Sequence, residues 1–552
     1  MNPTRDAAAE AGTVQGTTAQ ILLSTLRDAG VTDIFALPGI QNDDLFDALH
    51  GAEGVRTIHT RHEQGAAYMA AGYGMATGRP GVYAVVPGPG FLNTTAALST
   101  AYGCCAPVLA LAGEIPQAMI GRGVGMLHEI PDQIGIMRQF TKWAGRIRGP
   151  SEAVALTAQA LRQAARAPFR PVGLECPMDV WGRRGVALRE APPGPEPVAI
   201  DTDAVRKAAK LLGGAKRPII VVGAGAQDAS AEVTELARML QAPVSAHRMG
   251  RGVLSSRDPL CVDPVAGHIL WGSADVVLAV GTRLQMQLMQ WGQDSDLKVV
   301  RVEADPEALD KIAAPAVGLV GDAAPILRAL LAELPAHATR RERMGEIEDA
   351  RGRAWQKLST LKPQMALLEA IRAELPEDGI FVDELTQLGY ASRALFPVYA
   401  PRTFLSPGYQ GTLGWGMAAA LGAQVAKPGT KVVSVIGDGG FLFNAQELAT
   451  AVQHRIPLVT VLANDNAFGN VRRIQDDQYG GRRIASELRN PDFVRLADSY
   501  GALALRANGP DELRAALARA FREDGPSVIE VPVGPMPDPW TMLRYRSSRP
   551  VR

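Results

Sequence analysis

Asp438 and Asp465 stand 27 positions apart in a chain of 552 residues, each just beyond a short apolar run. Val432-Val433-Ser434-Val435-Ile436 leads into the turn Gly437-Asp438-Gly439-Gly440, and Leu458-Val459-Thr460-Val461-Leu462 leads to Asn464-Asp465-Asn466. A helical stretch beginning Asn444-Ala445-Gln446-Glu447 separates them. A strand–helix–strand unit of this kind brings both strand ends to one edge of a parallel sheet, where open α/β sheets bind ligands. Two hard oxygen donors with room left for phosphate oxygens suit Mg²⁺. Gly437, Gly439 and Gly440 let backbone amides approach a diphosphate, and the helix start that follows favours negative charge. A Gly-Asp-Gly turn alone is ordinary turn chemistry. The second strand and the Asn-Asp pair at this spacing favour the metal site.

Glu63 is the second candidate. An expected strand over 55–60 runs into His62-Glu63-Gln64-Gly65-Ala66-Ala67-Tyr68-Met69-Ala70, a small-residue helix. An acid in a first helical turn is also what the macrodipole prefers, whatever the function. His128, in Leu127-His128-Glu129-Ile130-Pro131-Asp132-Gln133, offers an imidazole able to move protons near neutrality. A half-exposed loop histidine is the equal alternative.

Such residues need elements to hold them. The chain is too long for one core. A Pro-rich stretch at Ala191-Pro192-Pro193-Gly194-Pro195-Glu196-Pro197 and a charged one over 336–362, including Arg340-Arg341-Glu342-Arg343, divide it into 16–185, 198–335 and 364–540. Each segment alternates short β-branched runs with Ala/Leu-rich stretches, the pattern of buried parallel strands with crossover helices. The expectation is an α/β protein of three open parallel-sheet domains. Val222-Gly223-Ala224-Gly225-Ala226 is close to a dinucleotide turn, but a lone G-x-G reads better as structure.

Composition narrows the partners. With 57 basic and 57 acidic residues, no net charge argues for nucleic acid or an anionic membrane. Cys104, Cys105, Cys176 and Cys261 form no C-x-x-C pair, so neither zinc nor a disulfide framework is expected. The adjacent Cys104 and Cys105 read as small core residues. The uncharged run from Pro80 to Gly113 is broken by Pro87, Gly88, Pro89, Gly90 and Pro107, which fits strand–loop–helix–strand and not a spanning helix. Residues 1–18 read as a loose leader without a signal peptide. A soluble, cytoplasmic protein is expected.

Arg61-His62-Glu63-Gln64-Gly65-Ala66-Ala67-Tyr68-Met69-Ala70, followed by Gly72-Tyr73, together with Gly437-Asp438-Gly439 and Asn464-Asp465, resembles the thiamine-diphosphate-dependent enzyme superfamily. Within it, the large catalytic subunits of acetolactate synthases are most similar. The resemblance extends through Gly88-Pro89-Gly90, Gly281-Thr282-Arg283 and Asn490-Pro491-Asp492-Phe493. It implies a pyrimidine-binding domain, a central Rossmann-like domain and a diphosphate-binding domain, in that order. Thiamine diphosphate and Mg²⁺ are the implied cofactors, with the metal on Asp438, Asp465 and the backbone carbonyl of Ala467. Glu63 would hydrogen-bond a pyrimidine nitrogen and so favour loss of the thiazolium C2 proton. Leu413, in Gly411-Thr412-Leu413-Gly414-Trp415-Gly416, would prop the cofactor in its bent form. A homodimer or homotetramer with interfacial sites is also implied.

The departures bear on substrate. Asp465 replaces the family's second Asn and keeps an oxygen ligand. Leu284-Gln285-Met286-Gln287 replaces Phe-Asp-Asp-Arg, and no Met-His-Gly occurs, which puts FAD in doubt. Gln287 replaces the Arg that holds a second oxo acid, and Ile474 replaces the Trp that selects the larger acceptor. Gln cannot restore the bidentate recognition a guanidinium gives a carboxylate. His128 takes the place of an active-site Gln. Pro38-Gly39-Ile40-Gln41 and the lack of a His-His pair disfavour a simple pyruvate decarboxylase and make Ile40 and Gln41 substrate candidates. The expected activity is a carboligase or lyase acting on 2-oxo acids, aldehydes or 2-hydroxy ketones. A 2-oxo-acid decarboxylase or C–C hydrolase is the alternative, and a nucleotide-dependent oxidoreductase the remote one.

Overall fold

The computed structural model describes residues 12–190, 199–337, 342–543 and 545–550. The Pro-rich linker at 191–197 and Arg340-Arg341 lie outside the described residues. The rest of the charged stretch holds the helix Met344–Leu358.

Three six-stranded sheets, all parallel, carry the architecture. The first runs in the order Arg56–His59, Asp33–Ala36, Gly81–Val85, Val108–Glu114, Val172–Pro177, Ala144–Arg146. The second runs Cys261–Val262, Val244–Ala246, Pro218–Val222, Val276–Val280, Lys298–Glu303, Val317–Val320. The third runs Phe404–Leu405, Ile380–Asp383, Val432–Gly437, Val459–Asn464, Ser527–Pro532, Leu503–Arg506. Central strands such as Gly81–Val85 and Val276–Val280 are buried at every position. Helices on both faces of a parallel sheet demand this, and it explains why the apolar runs do not alternate.

The chain folds as two compact units. One comprises Met1–Glu196 with Tyr409–Pro428 and Asn444–Ile456; the other comprises Pro197–Gly408, Gly429–Phe443 and Pro457–Arg552. The first unit holds the first sheet and, at its heart, the helix Glu63–Thr77, buried almost all round. Trp415–Ala426 packs against it. A Cβ at Gly72 would strike the Ala419 backbone and one at Gly422 the Met69 backbone, so bare glycines set how closely these helices approach. The second unit holds the other two sheets.

Two expectations need correction. Of the expected loose leader, residues 1–11 lie outside the described residues, while Thr13–Thr17 pairs antiparallel with Arg184–Leu188. Its last residue, Thr17, forms a capping box with Gln20 at the head of the helix Thr18–Asp28. Cys104 is core as expected, but Cys105 is half-buried at φ 56°, ending the helix Thr95–Cys104 in the left-handed region. The run from Pro80 to Gly113 is strand, two helices and strand. No helix among the described residues is long and apolar enough to cross a membrane.

Candidate active site

In the first unit, Glu63 opens its helix and His62 caps it, His62 Nδ1 accepting from the Gln64 N–H at 3.1 Å. The Glu63 side chain is largely shielded. Its Oε2 accepts from Asn93 Nδ2 at 3.0 Å, and its Oε1 lies beside Gly90. The helix Pro89–Asn93 thus presents both neighbours of this carboxylate after a Gly88 turn at φ 59°. That turn also seats His128, because a Cβ at Gly88 would collide with the His128 carbonyl. His128 itself adopts φ 68°, rare for a residue with a Cβ, and its buried Nδ1 has no hydrogen-bond partner. Gln41 Nε2 donates to the neighbouring Leu127 carbonyl at 3.1 Å, while its buried Oε1 has no partner. Glu63, His128 and Gln41 therefore gather round one glycine-rich turn. Ile40, the residue before Gln41, is exposed. Leu413 stands between Gly411 and Gly414, both at positive φ, and its neighbour Thr412 bonds the Tyr68 hydroxyl at 2.9 Å.

In the second unit, adjacent parallel strands deliver Asp438 and Asp465 to the same sheet edge. The Ala467 N–H favours the charged form of both carboxylates. Asp438 Oδ2 also accepts from Asn490 Nδ2 at 2.6 Å, and Asp465 Oδ2 from Arg472 at 3.2 Å. Burial pushes the Asp438 carboxyl above its ordinary range, against the pull of Asn490. Burial and then the Asp438 charge push up Asp465, with Arg472 opposing. Two crowded carboxylates, of which only Asp465 has a guanidinium partner, are short of positive charge, and a divalent cation would supply it. A Cβ at Gly439 would meet the Phe468 ring and one at Gly440 the Glu384 carboxyl, so the backbone here is open only because both are glycine. Asp438, Asp465 and the Ala467 carbonyl could hold a hard cation, and the 437–440 turn could accept a diphosphate. No cluster of three or more His, Cys, Asp or Glu side chains forms a metal cage among the described residues.

The acceptor candidates also lie in the second unit. Gln287 is buried at the start of a single π-turn, Gln287–Trp291. Ile474 is half-buried on the helix Gly469–Tyr479. Arg473 on that helix already pairs with Asp477 and Asp538. Gly223 and Gly225 pack their backbones against Gly281, which accounts for the G-x-G turn by contact alone.

Sequence reasoning missed Asn490, whose amide reaches Asp438, Asn464 and Asn466 together. It also missed Asn93 and Glu447. The Asn490-Pro491-Asp492 stretch was a visible signal, but only the fold gives it a partner.

Residues 16–136, 205–330 and 385–531 match the N-terminal TPP binding, central and C-terminal TPP binding domains of thiamine pyrophosphate enzymes, and the chain belongs to that family. It is 35% identical over 534 residues to a Pseudomonas aeruginosa protein described as "Probable 2-ketoarginine decarboxylase AruI", covering 93% of this chain and 94% of the relative. It is 32% identical to a "Probable acetolactate synthase large subunit" of Methanocaldococcus jannaschii, covering 94% and 92%. It is 30% identical to the acetolactate synthase isozyme 3 large subunit of Escherichia coli, covering 92% of each.

Proposed function

We propose that this protein is a cytoplasmic, Mg²⁺- and thiamine-diphosphate-dependent lyase or carboligase that takes a 2-oxo acid as donor. The domains would span 16–185, 198–335 and 364–540, and the active form would be a homodimer or homotetramer. When bound, thiamine diphosphate supplies the electron sink needed to break or make a bond beside a carbonyl. The chain's part is to hold and prime it. Glu63, shielded and oriented by Asn93, would hold a proton at a pyrimidine nitrogen. Asp438, Asp465 and the Ala467 carbonyl would hold Mg²⁺ against the diphosphate, and Leu413 would support the bent cofactor. His128 Nδ1, buried without a partner, could pass a proton to a substrate oxygen.

The observation that carries this reading is the Glu63 carboxylate, fixed at a helix start by an N-cap and an amide donor. Glu63→Gln is expected to keep cofactor but slow exchange of the cofactor's C2 proton by about 10²–10⁴-fold. Proton NMR in D₂O measures this, and wild-type exchange would remove Glu63 from the reaction.

For the acceptor, Gln287 and Ile474 favour an aldehyde or a proton over a second 2-oxo acid. Without a guanidinium, a carboxylate acceptor loses a charge-assisted bond worth about 1.5–3 kcal/mol. Pyruvate alone should therefore give little acetolactate, and adding an aldehyde should divert product to the mixed hydroxyketone. Simple decarboxylation is the second reading, supported by the 35% identical relative. A panel of 2-oxo acids, each with and without aldehyde, resolves the two by chromatography of the products.

A further inference from the structure

Glu447 is a fully buried carboxylate that none of the chemistry above uses. It begins the helix Glu447–Gln453 and points into the corner between the strand Arg56–His59 and the helix Glu63–Thr77. Its Oε1 accepts from the His62 N–H at 2.9 Å and the Arg61 N–H at 3.2 Å. Its Oε2 accepts from the same Arg61 N–H at 3.2 Å and from the Thr450 hydroxyl at 2.6 Å. Gly65 makes the approach possible, since a Cβ there would overlap the Glu447 carboxyl. Two further contacts grip the same corner: Arg61 donates to Gln453 Oε1 at 2.6 Å, and the His59 and His454 rings meet edge to face at 5.2 Å.

We propose that Glu447 is a positioning residue for Glu63, clamping the two peptide N–H groups that precede it so that its carboxylate is presented in one place. The inference rests on the role given to Glu63. Burying a carboxylate is costly, and here burial pushes its pKa up to about 7. An uncapped amide pair could have been met by water or a serine. A charged acceptor spanning both amides adds stiffness at the one corner where a small displacement of the next residue matters. Thr450, buried beneath it, holds the carboxylate in turn.

The test uses the full-length enzyme saturated with thiamine diphosphate and Mg²⁺, reading C2-proton exchange per bound cofactor. Glu447→Gln keeps the shape but turns one acceptor into a donor, and should slow exchange roughly 10- to 100-fold, with cofactor Kd within about twofold of wild type. In cofactor-free protein it should speed amide hydrogen exchange at Arg61 and His62. In a Glu63→Gln background it should slow C2 exchange no further, because it acts through Glu63. Unchanged C2 exchange, or equal slowing in both backgrounds, would overturn the proposal. Should Glu447→Gln not fold, Thr450→Val carries the test, with a smaller effect in the same direction. Wild-type exchange in Glu63→Gln alone would instead overturn the role of Glu63, and with it the role of Glu447. Slow exchange in Glu63→Gln beside wild-type exchange in Glu447→Gln would sink this proposal and leave the other standing.

Discussion

Asp465 adds a second negative charge beside Asp438, and that charge has consequences. It repels Asp438, and Arg472 partly offsets it. Asp438→Ala should abolish Mg²⁺-dependent cofactor binding, since the deeper carboxylate also organises Asn490. Asp465→Asn should retain Mg²⁺-dependent binding, because an oxygen donor survives and a repulsion disappears. Calorimetric titration of cofactor with and without Mg²⁺ separates the two variants, and equal losses would show that the charge of Asp465 is itself required. The placement of Glu63, Asp438 and Asp465 just beyond strands was legible in the sequence, and parallel sheets gather such ends at one edge. Their partners were not legible. Asn490 lies 52 positions beyond Asp438, and Glu447 385 beyond His62, so only the fold brings them together. His128 was visible as a residue type, while its φ of 68° and unpartnered Nδ1 are properties of the loop that carries it.

Elements set these residues through contacts that pattern reading sees only in part. Apolar runs disclosed at least one strand in each of the three sheets, such as Gly81–Val85, Pro218–Val222 and Val432–Gly437. The ribbon Thr13–Thr17 with Arg184–Leu188 stayed hidden, because a five-residue strand with only Gly16 buried carries little apolar signal. The Gly/Ala-rich composition of Glu63–Thr77 and Trp415–Ala426 announced helices but not that they touch. Gly72→Ala should destabilise the protein by about 1–3 kcal/mol, since the new methyl meets backbone that cannot swing away. Gly352→Ala, on the helix Met344–Leu358 with open space around it, should instead stabilise by about 0.4–1 kcal/mol. Denaturant midpoints of the two variants, shifted in opposite directions, would check both statements. Strand ends also set a pH dependence. Glu114 closes the strand Val108–Glu114, and burial raises its pKa to about 7, with Glu175 adding to the shift and the Ile115 N–H and Arg146 opposing it. The folded state therefore holds this proton more tightly than the unfolded chain. The stability it contributes is complete below the ordinary carboxylate range near 4.5 and is lost as pH rises through about 7. Glu114→Gln should flatten this part of the stability profile between those limits, as read by urea unfolding at stepped pH.

At the scale of the whole molecule, Glu63 belongs to one compact unit of the chain and Asp438 to the other. If each active site takes Glu63 from one subunit and Asp438 from its partner, the two halves of the machinery can be inactivated separately and recombined. A pure Glu63→Gln oligomer would lack the activating carboxylate at every site, and a pure Asp438→Ala oligomer would lack the metal at every site. In a mixed dimer, one site collects both lesions and the other collects neither. Random assembly of equal amounts makes half the dimers mixed, with one intact site in two, so about a quarter of wild-type activity should return. Dissociation and reassociation of the two purified variants, followed by turnover of a 2-oxo acid and by light scattering for mass, is the measurement. Sites built within single chains would give a different result. Every site would then keep its own lesion, and mixing would restore nothing at any ratio. Recovery that follows the mixed fraction as the ratio is varied would place the active site between subunits. It would also make the dimer the smallest active unit.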